Sequence, residues 1–247
     1  MAPSDPEIPL TGGCLTMGIV RVGDTVRRPS RASSPFVADL LRLLDEKGVT
    51  WAPRYLGRDE LNRDILSYIS GLTIAKWQRF ADEQVRGAAR LLREVHDATR
   101  GSLLAARHSV VCHHDPGPNN AIFESEKPIA FIDFDFAAPG EPLEDLGYMA
   151  WSWCVSSKAE RGPASEQARQ VRVLADAYGL EAATRPALID AMLERQSRNA
   201  RFWAEQLRSS EVIPSTPEKM RERVDWSERE FAYVVHNRAL FSESLRH

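Results

Sequence analysis

Lysine is scarce in this chain of 247 residues: there are five lysines against 27 arginines, and none precedes Lys47. Any phosphate-gripping cation in the first forty positions must therefore be an arginine. Cysteine is rarer still. Three residues (Cys14, Cys112, Cys154), odd in number and far apart, imply no disulfide framework. A surplus of basic charge is also missing. The net charge of −3 and a pI near 6.1 give no general attraction to nucleic acid or to an anionic membrane. No apolar run is long enough to span a bilayer, the longest being "YMAWSWCV" at 148–155. The opening "MAPSDPEIPL" has neither a basic n-region nor an apolar h-region. The expected compartment is a reducing cytoplasm, with neither nucleic acid nor membrane as a partner.

What is present is a globular composition, 43% apolar and 27% charged, sufficient for one large domain or two packed lobes. Residues 10–30 read as short strands, with Gly12-Gly13 and Gly23-Asp24 as turns. A helix is expected from Pro35 to Lys47: Ser33 or Ser34 caps it, Gly48 closes it, and Phe36, Val37, Leu40, Leu41 and Leu44 form its apolar face. Strand-like "RYLG" and "DILSYI" follow. From 74 to 98 the spacing turns helical through Trp77, Ala81, Val85, Ala88, Leu92 and Val95, and from 145 onward helices dominate. The joint falls near 68–73, which predicts an α+β fold in two lobes, residues 1–70 and 71–247.

The densest chemistry lies in "VVCHHDPGPNNAIF" at 110–123. Pro-Gly-Pro keeps this segment from being helical. It can be a polar turn, a metal site or a catalytic loop. Zinc is poorly served, because adjacent histidines seldom converge on one ion and no His or Cys cluster follows to complete a tetrahedron. The catalytic option gains from Asp133, in the apolar run "PIAFIDFDFAAPG". Asn120 and Asp133 form a hard-oxygen pair suited to magnesium, which leaves Asp115 to accept a hydroxyl proton. Asp135, one strand period beyond Asp133, can face the same side.

Two motifs in order, "CHHDPGPNN" and "FIDFDFAAPGEPLEDLGY", make the chain resemble the aminoglycoside phosphotransferase and choline kinase-like family. The opening "LTGG…IVRVGDTVRRP" is also similar to its short trifolitoxin immunity-like subgroup. The resemblance implies a protein kinase-like fold with a small sheet-rich lobe and a larger helical one. It implies Asp115 as catalytic base, Asn120 and Asp133 as Mg2+ ligands, and His113 and Asp145 as supports of the catalytic loop. Asp135 matches a position that is often acidic. Gly12 and Gly13 would turn over the phosphates of ATP or GTP, and the backbone of Ser67, Tyr68 and Ile69 would meet the nucleotide base.

Two departures stand out. The lysine of the third strand is replaced in "TVRRP", where alignment puts Arg27 at the phosphates, and the helix that follows has no glutamate at the aligned place near Val37, the nearest carboxylate being Asp39. Residues 181–247 carry eleven acidic and eleven basic side chains, a balance that does not favour a polycationic acceptor. The expected activity is phosphoryl transfer to a hydroxyl of a small molecule. The alternative is a catalytically silent binding or immunity protein on the same fold. A metal-dependent glycosyltransferase using "DFD" at 133–135 would need a parallel α/β sheet, which the helical C-terminal half argues against. His96, Trp151 and Trp153 read as core, and "RERVDWSERE" as a solvated helix face.

Overall fold

The computed structural model describes residues 5–10, 18–74, 78–209 and 215–246. Its first part is a five-stranded antiparallel sheet, ordered β1-β2-β3-β5-β4. The strands are β1 (Ile8–Pro9), β2 (Val20–Val22), β3 (Thr25–Arg28), β4 (Tyr55–Arg58) and β5 (Asp64–Ser67). Gly23 and Asp24 close the β2–β3 hairpin. Val22 faces Thr25, and Gly23 takes φ 57°, a conformation that a two-residue hairpin turn requires and glycine adopts freely.

Helix α1 (Ser34–Glu46) runs where its apolar spacing puts it. Pro35 lies in the first turn, and Val37, Leu40, Leu41 and Leu44 are buried. Gly48 ends it at φ 78°. Neither serine caps it through a side chain: Ser33 holds the N-cap position without such a bond, and the Ser34 hydroxyl is used elsewhere.

The rest of the chain is mostly helical. Helix α2 (Asp82–Thr99) buries Val85, Ala88, Ala89, Leu92 and Val95. It begins later than the spacing suggested, because Ala81 is extended and its N–H is taken by the Gln84 side chain at 2.8 Å. Trp77 lies outside the described residues. Two small sheets follow. One pairs β6 (Val110–Cys112) with β9 (Ala138–Gly140), the other β7 (Ala121–Glu124) with β8 (Lys127–Phe131), both antiparallel. Then come α3 (Pro142–Met149), a π-helical turn at Ala150–Cys154, α4 (Ala164–Tyr178), α5 (Ala187–Gln206), α6 (Pro217–His236) and α7 (Arg238–Arg246). Gly147 lets α3 lie against α5, since a β-carbon there would come within 2.6 Å of the Ala191 backbone.

The expected joint is a tied crossing. Leu72 forms an isolated antiparallel bridge with Phe123, so the chain leaving the first sheet is pinned to β7. The protein thus has the α+β, kinase-like arrangement: a small antiparallel sheet with one helix, and a larger helical region carrying the two hairpin-like sheets. Among the described residues, no helix is long and apolar enough to cross a membrane.

Candidate active site

Strand β6 is fully buried, and its end delivers the polar loop. His113 is buried and makes two bonds that set its ring. Nε2–H donates to the Ile132 carbonyl at 3.0 Å, and Nδ1 accepts the Asp115 N–H at 3.3 Å. The ring packs on Phe134, with centroids 4.5 Å apart. His113 therefore ties the loop to the segment carrying Asp133, which is bracing geometry.

Asp145, on α3, is fully buried directly beneath the loop. Its carboxylate accepts the His113 and His114 backbone N–H groups at 2.7 Å each, and lies 3.0 Å from His96 Nε2. Burial alone would raise its pKa, but the His96 hydrogen bond and the surrounding imidazoles outweigh this and hold it below the usual carboxylate range. His96 continues the chain outward, with Nδ1 2.7 Å from the Tyr178 hydroxyl. The fully buried His96 of "LLREVHDAT" is thus a packed residue, and it is also a support for the loop that sequence reasoning missed.

Trp153, also read as core, does more than fill space. Its indole N–H donates to the Pro116 carbonyl at 2.8 Å, inside the Pro-Gly-Pro turn. Trp153→Phe should strand that buried carbonyl at a cost of roughly 1–3 kcal/mol. Urea unfolding checks this, and unchanged stability would mean that water takes over the bond.

Asp115 is partly exposed at the loop's mouth. Asn120 is nearly buried, and its Nδ2 donates both to the Asp115 carbonyl at 2.9 Å and to Asp115 Oδ2 at 2.7 Å. Asn120 begins the β7–β8 hairpin, where its carbonyl accepts the Ile132 N–H at 2.8 Å, so Asp133 follows immediately beside it. The expected strand does not extend that far. Strand β8 ends at Phe131, Asp133 is left-handed at φ 64°, and Phe134–Phe136 is a 3-10 turn. Asp133 and Asp135 converge through this turn and not through strand alternation. Partial burial of Asp133 raises its pKa, and the Asp135 carboxylate adds to the shift against the pull of Arg28.

The arginine register is the main correction. Arg27 lies on the outer face of β3, donating to Thr25 Oγ1 at 2.5 Å and 3.9 Å from Asp59. Arg28 is the buried one. It pairs with Asp135, and its Nη1 is 3.8 Å from Asp133 Oδ1. The reason is alternation: Val26 packs toward the core, so Arg28 two positions on shares that face, while Thr25 and Arg27 take the other. The missing α1 carboxylate stays missing, because Asp39 is exposed and binds Arg42 at 2.9 Å. A different acid stands by. Asp64 of β5, opposite Arg28 in register, is buried, bonded to the Ser34 hydroxyl and 3.1 Å from Arg58 Nε. Arg28, Ser34, Asp64 and Asp135 line one small cavity.

At the chain crossing, Ser67 N–H donates to the Arg54 carbonyl and Tyr68 N–H to the Asp24 carbonyl, both at 2.9 Å. Those two donors are spent on the sheet. Among the described residues, the Ile69 N–H has no backbone partner. Gly12 and Gly13 lie outside the described residues.

The loop with Asp115 and Asn120, the acidic pair on the next turn and the strand cation that reaches it thus lie side by side. Residues 72–189 match the model of the phosphotransferase enzyme family. Over 264 aligned residues the chain is 29% identical to the trifolitoxin immunity protein of Rhizobium leguminosarum bv. trifolii, covering 97% of this chain and 98% of that relative. Among solved structures, a choline/ethanolamine kinase family protein from Mesorhizobium loti superposes with a TM-score of 0.63 at 17% identity, covering 98% of this chain and 92% of that one. A spectinomycin phosphotransferase in complex with ADP and spectinomycin superposes at 0.64 with 13% identity, covering 92% of each chain. The two motifs that carry the resemblance to the aminoglycoside phosphotransferase and choline kinase-like family lie within the matched stretch.

Proposed function

We propose that this protein is a magnesium-dependent phosphotransferase that moves the γ-phosphate of ATP or GTP to a hydroxyl of a small molecule. One observation carries the reading. Asn120 holds the Asp115 carboxylate from one side and leads directly to Asp133, while Arg28 reaches Asp133 and Asp135 from the sheet. The match to a phosphotransferase family model supports it, as does the likeness to an ADP-bound phosphotransferase. In this reading residues 1–70 hold the nucleotide, and residues 71–247 carry the catalytic loop and the acceptor site.

The oxygen donors fit the metal. Asn120 Nδ2 is committed to Asp115, its Oδ1 accepts the Asn119 side-chain amide at 2.8 Å and keeps a second lone pair for a metal, and the Asp133 side chain is about half exposed at 47%. Asn120 Oδ1 and the Asp133 carboxylate would hold Mg2+, whose charge offsets that of the transferred phosphoryl group. Asp115 then accepts the proton of the acceptor hydroxyl as it attacks, and passes it to solvent after transfer. Arg28 would grip the phosphates, exchanging its carboxylate partners for phosphate oxygens. A planar guanidinium forms such contacts as a fork where lysine acts as a point charge. Ile69 offers its N–H to the nucleotide base.

A second reading has its own observation. Arg28 already neutralises the acidic pair, and Asp39, the α1 carboxylate nearest the aligned place, is bonded to Arg42 instead. A chain locked in this way would bind a ligand or toxin without phosphoryl transfer, in keeping with the relative named for trifolitoxin immunity.

Titration with magnesium-nucleotide separates the two. Charge-assisted bonds to phosphate contribute roughly 1.5–3 kcal/mol each, so Arg28→Ala should weaken binding by about one to two orders of magnitude. Arg27→Ala should change it by less than about threefold, since that side chain faces Asp59. Arg28→Lys should recover part of the loss. Wild type that binds no nucleotide at millimolar concentration would replace the phosphotransferase reading with the silent one.

A further inference from the structure

On the side of the loop facing α3, three metal-ligating side chains meet that the phosphotransfer reading does not use. Cys112 Sγ, His114 Nε2 and a Glu144 carboxylate oxygen lie within 4.8 Å of one another. They close in on the α-carbon of Gly140, and only a glycine leaves them room there. The point where a β-carbon of Gly140 would sit is 2.9 Å from Cys112 Sγ, 2.8 Å from Glu144 Oε1 and 3.3 Å from His114 Nε2. With bonds of about 2.0–2.3 Å, the ligand atoms of a tetrahedral zinc lie roughly 3.3–3.8 Å apart, and these three need to draw in by only a little from their separations of at most 4.8 Å.

The imidazole is already set for coordination. His114 Nδ1 is 3.1 Å from the Phe136 carbonyl, which accepts its proton and leaves the lone pair on Nε2. Nε2 is buried without a hydrogen-bond partner, although Glu144 Oε2 is only 3.4 Å away. A cation lying between the imidazole nitrogen and the carboxylate would bind both. The backbone adds a cost of its own. His114 sits at φ 62°, unusual for a non-glycine residue, and is held there by Asp145 on its N–H and Arg195 on its carbonyl at 2.9 Å. Two bonds compete with a metal: the Cys112 thiol donates to the Glu141 carbonyl at 3.3 Å, and Arg198 Nη1 is 3.4 Å from Glu144 Oε2.

We propose that Cys112, His114 and Glu144 form a three-ligand site for a zinc-class divalent cation, with water as the fourth ligand. A thiolate, an imidazole and one carboxylate select a borderline-soft ion over magnesium, which prefers an all-oxygen set. Binding converts the Cys112 thiol to a thiolate and releases one proton to solvent. The cation would clamp positions 112 and 114 to α3 and so fix the backbone that leads into Asp115.

Cobalt(II) is the probe, because a thiolate–cobalt bond gives a near-ultraviolet charge-transfer band that cobalt on an oxygen-only site does not. Full-length protein titrated with cobalt chloride should develop this band at about one equivalent and lose it when zinc is added. Cys112→Ser and Gly140→Ala should abolish the band, the second by setting a methyl group against all three ligand atoms without removing one. His114→Asn should abolish it while keeping the fold, since asparagine tolerates positive φ. Cys14→Ser and Cys154→Ala should leave it intact. A wild type with no band overturns the site, and so does a band that survives Cys112→Ser. Folded variants are identified by circular dichroism, so a misfolded Gly140→Ala leaves the decision to His114→Asn.

Discussion

Asp115→Asn should lower turnover by about 10²–10⁴-fold while the affinity for magnesium-nucleotide barely changes. The substitution keeps the loop intact for structural reasons. Asn120 Nδ2 donates to Asp115 Oδ2 and to the Asp115 carbonyl, and an asparagine in the same place still offers one side-chain oxygen and the same carbonyl. What it cannot offer is a site for the hydroxyl proton. The loss should therefore appear in kcat and not in KM for the nucleotide, the pattern of an interaction made only at the transition state. The measurement is steady-state phosphorylation of an acceptor found by screening small hydroxylated molecules, alongside nucleotide titration of the same two proteins. Near-normal turnover in Asp115→Asn would remove this carboxylate from the mechanism.

Asp145→Ala should destabilise the protein by about 3–5 kcal/mol, the range for removing one member of a buried charged network. Three donors converge on this one side chain: the His113 and His114 backbone N–H groups and His96 Nε2. Each loses its partner in a place that water does not reach, at about 1–3 kcal/mol per unsatisfied donor. The left-handed His114 loses an anchor at the same time. Urea unfolding of the two proteins measures the difference. Asp145→Asn is the informative companion, because it retains an acceptor for one N–H but sets its amide donors against the other. It should fall between wild type and alanine. A loss below about 1 kcal/mol in Asp145→Ala would mean that the loop has another anchor.

How far the site was legible follows from where each signal sits in the chain. The loop and its partners lie close in sequence, at 113–145, so spacing grouped Asp115, Asn120 and Asp133, and the family resemblance added Asp145. The reading of Asp133 and Asp135 as a strand pair had the convergence right and the geometry wrong. Alternating apolar residues around "FIDFDF" look like a strand, but Asp133 turns left-handed and the segment tightens into a 3-10 turn. Arg28 was readable in principle. Val26 is the apolar residue of β3 facing the core, and the residue two positions on shares its face. Alignment to a family strand hid that simpler rule. His96 could not be assigned from its own neighbourhood. A histidine among apolar helix residues looks the same whether it fills space or bridges Tyr178 to Asp145, and those partners lie 82 and 49 positions away.

By itself the sequence determined the α+β fold class, helix α1 with its buried face, the turn at Gly23-Asp24 and the polar loop. Each depends on local spacing, on a turn residue or on a motif confined to a few dozen positions. The tertiary structure decided which arginine meets the acidic pair, that Asp64 and Ser34 stand near it, that Trp153 and His96 support the loop, and that Cys112, His114 and Glu144 surround Gly140. These pairings join residues up to 107 positions apart. Contacts at such separations are set by how the sheet and helices pack in three dimensions, and no periodicity along the chain encodes them.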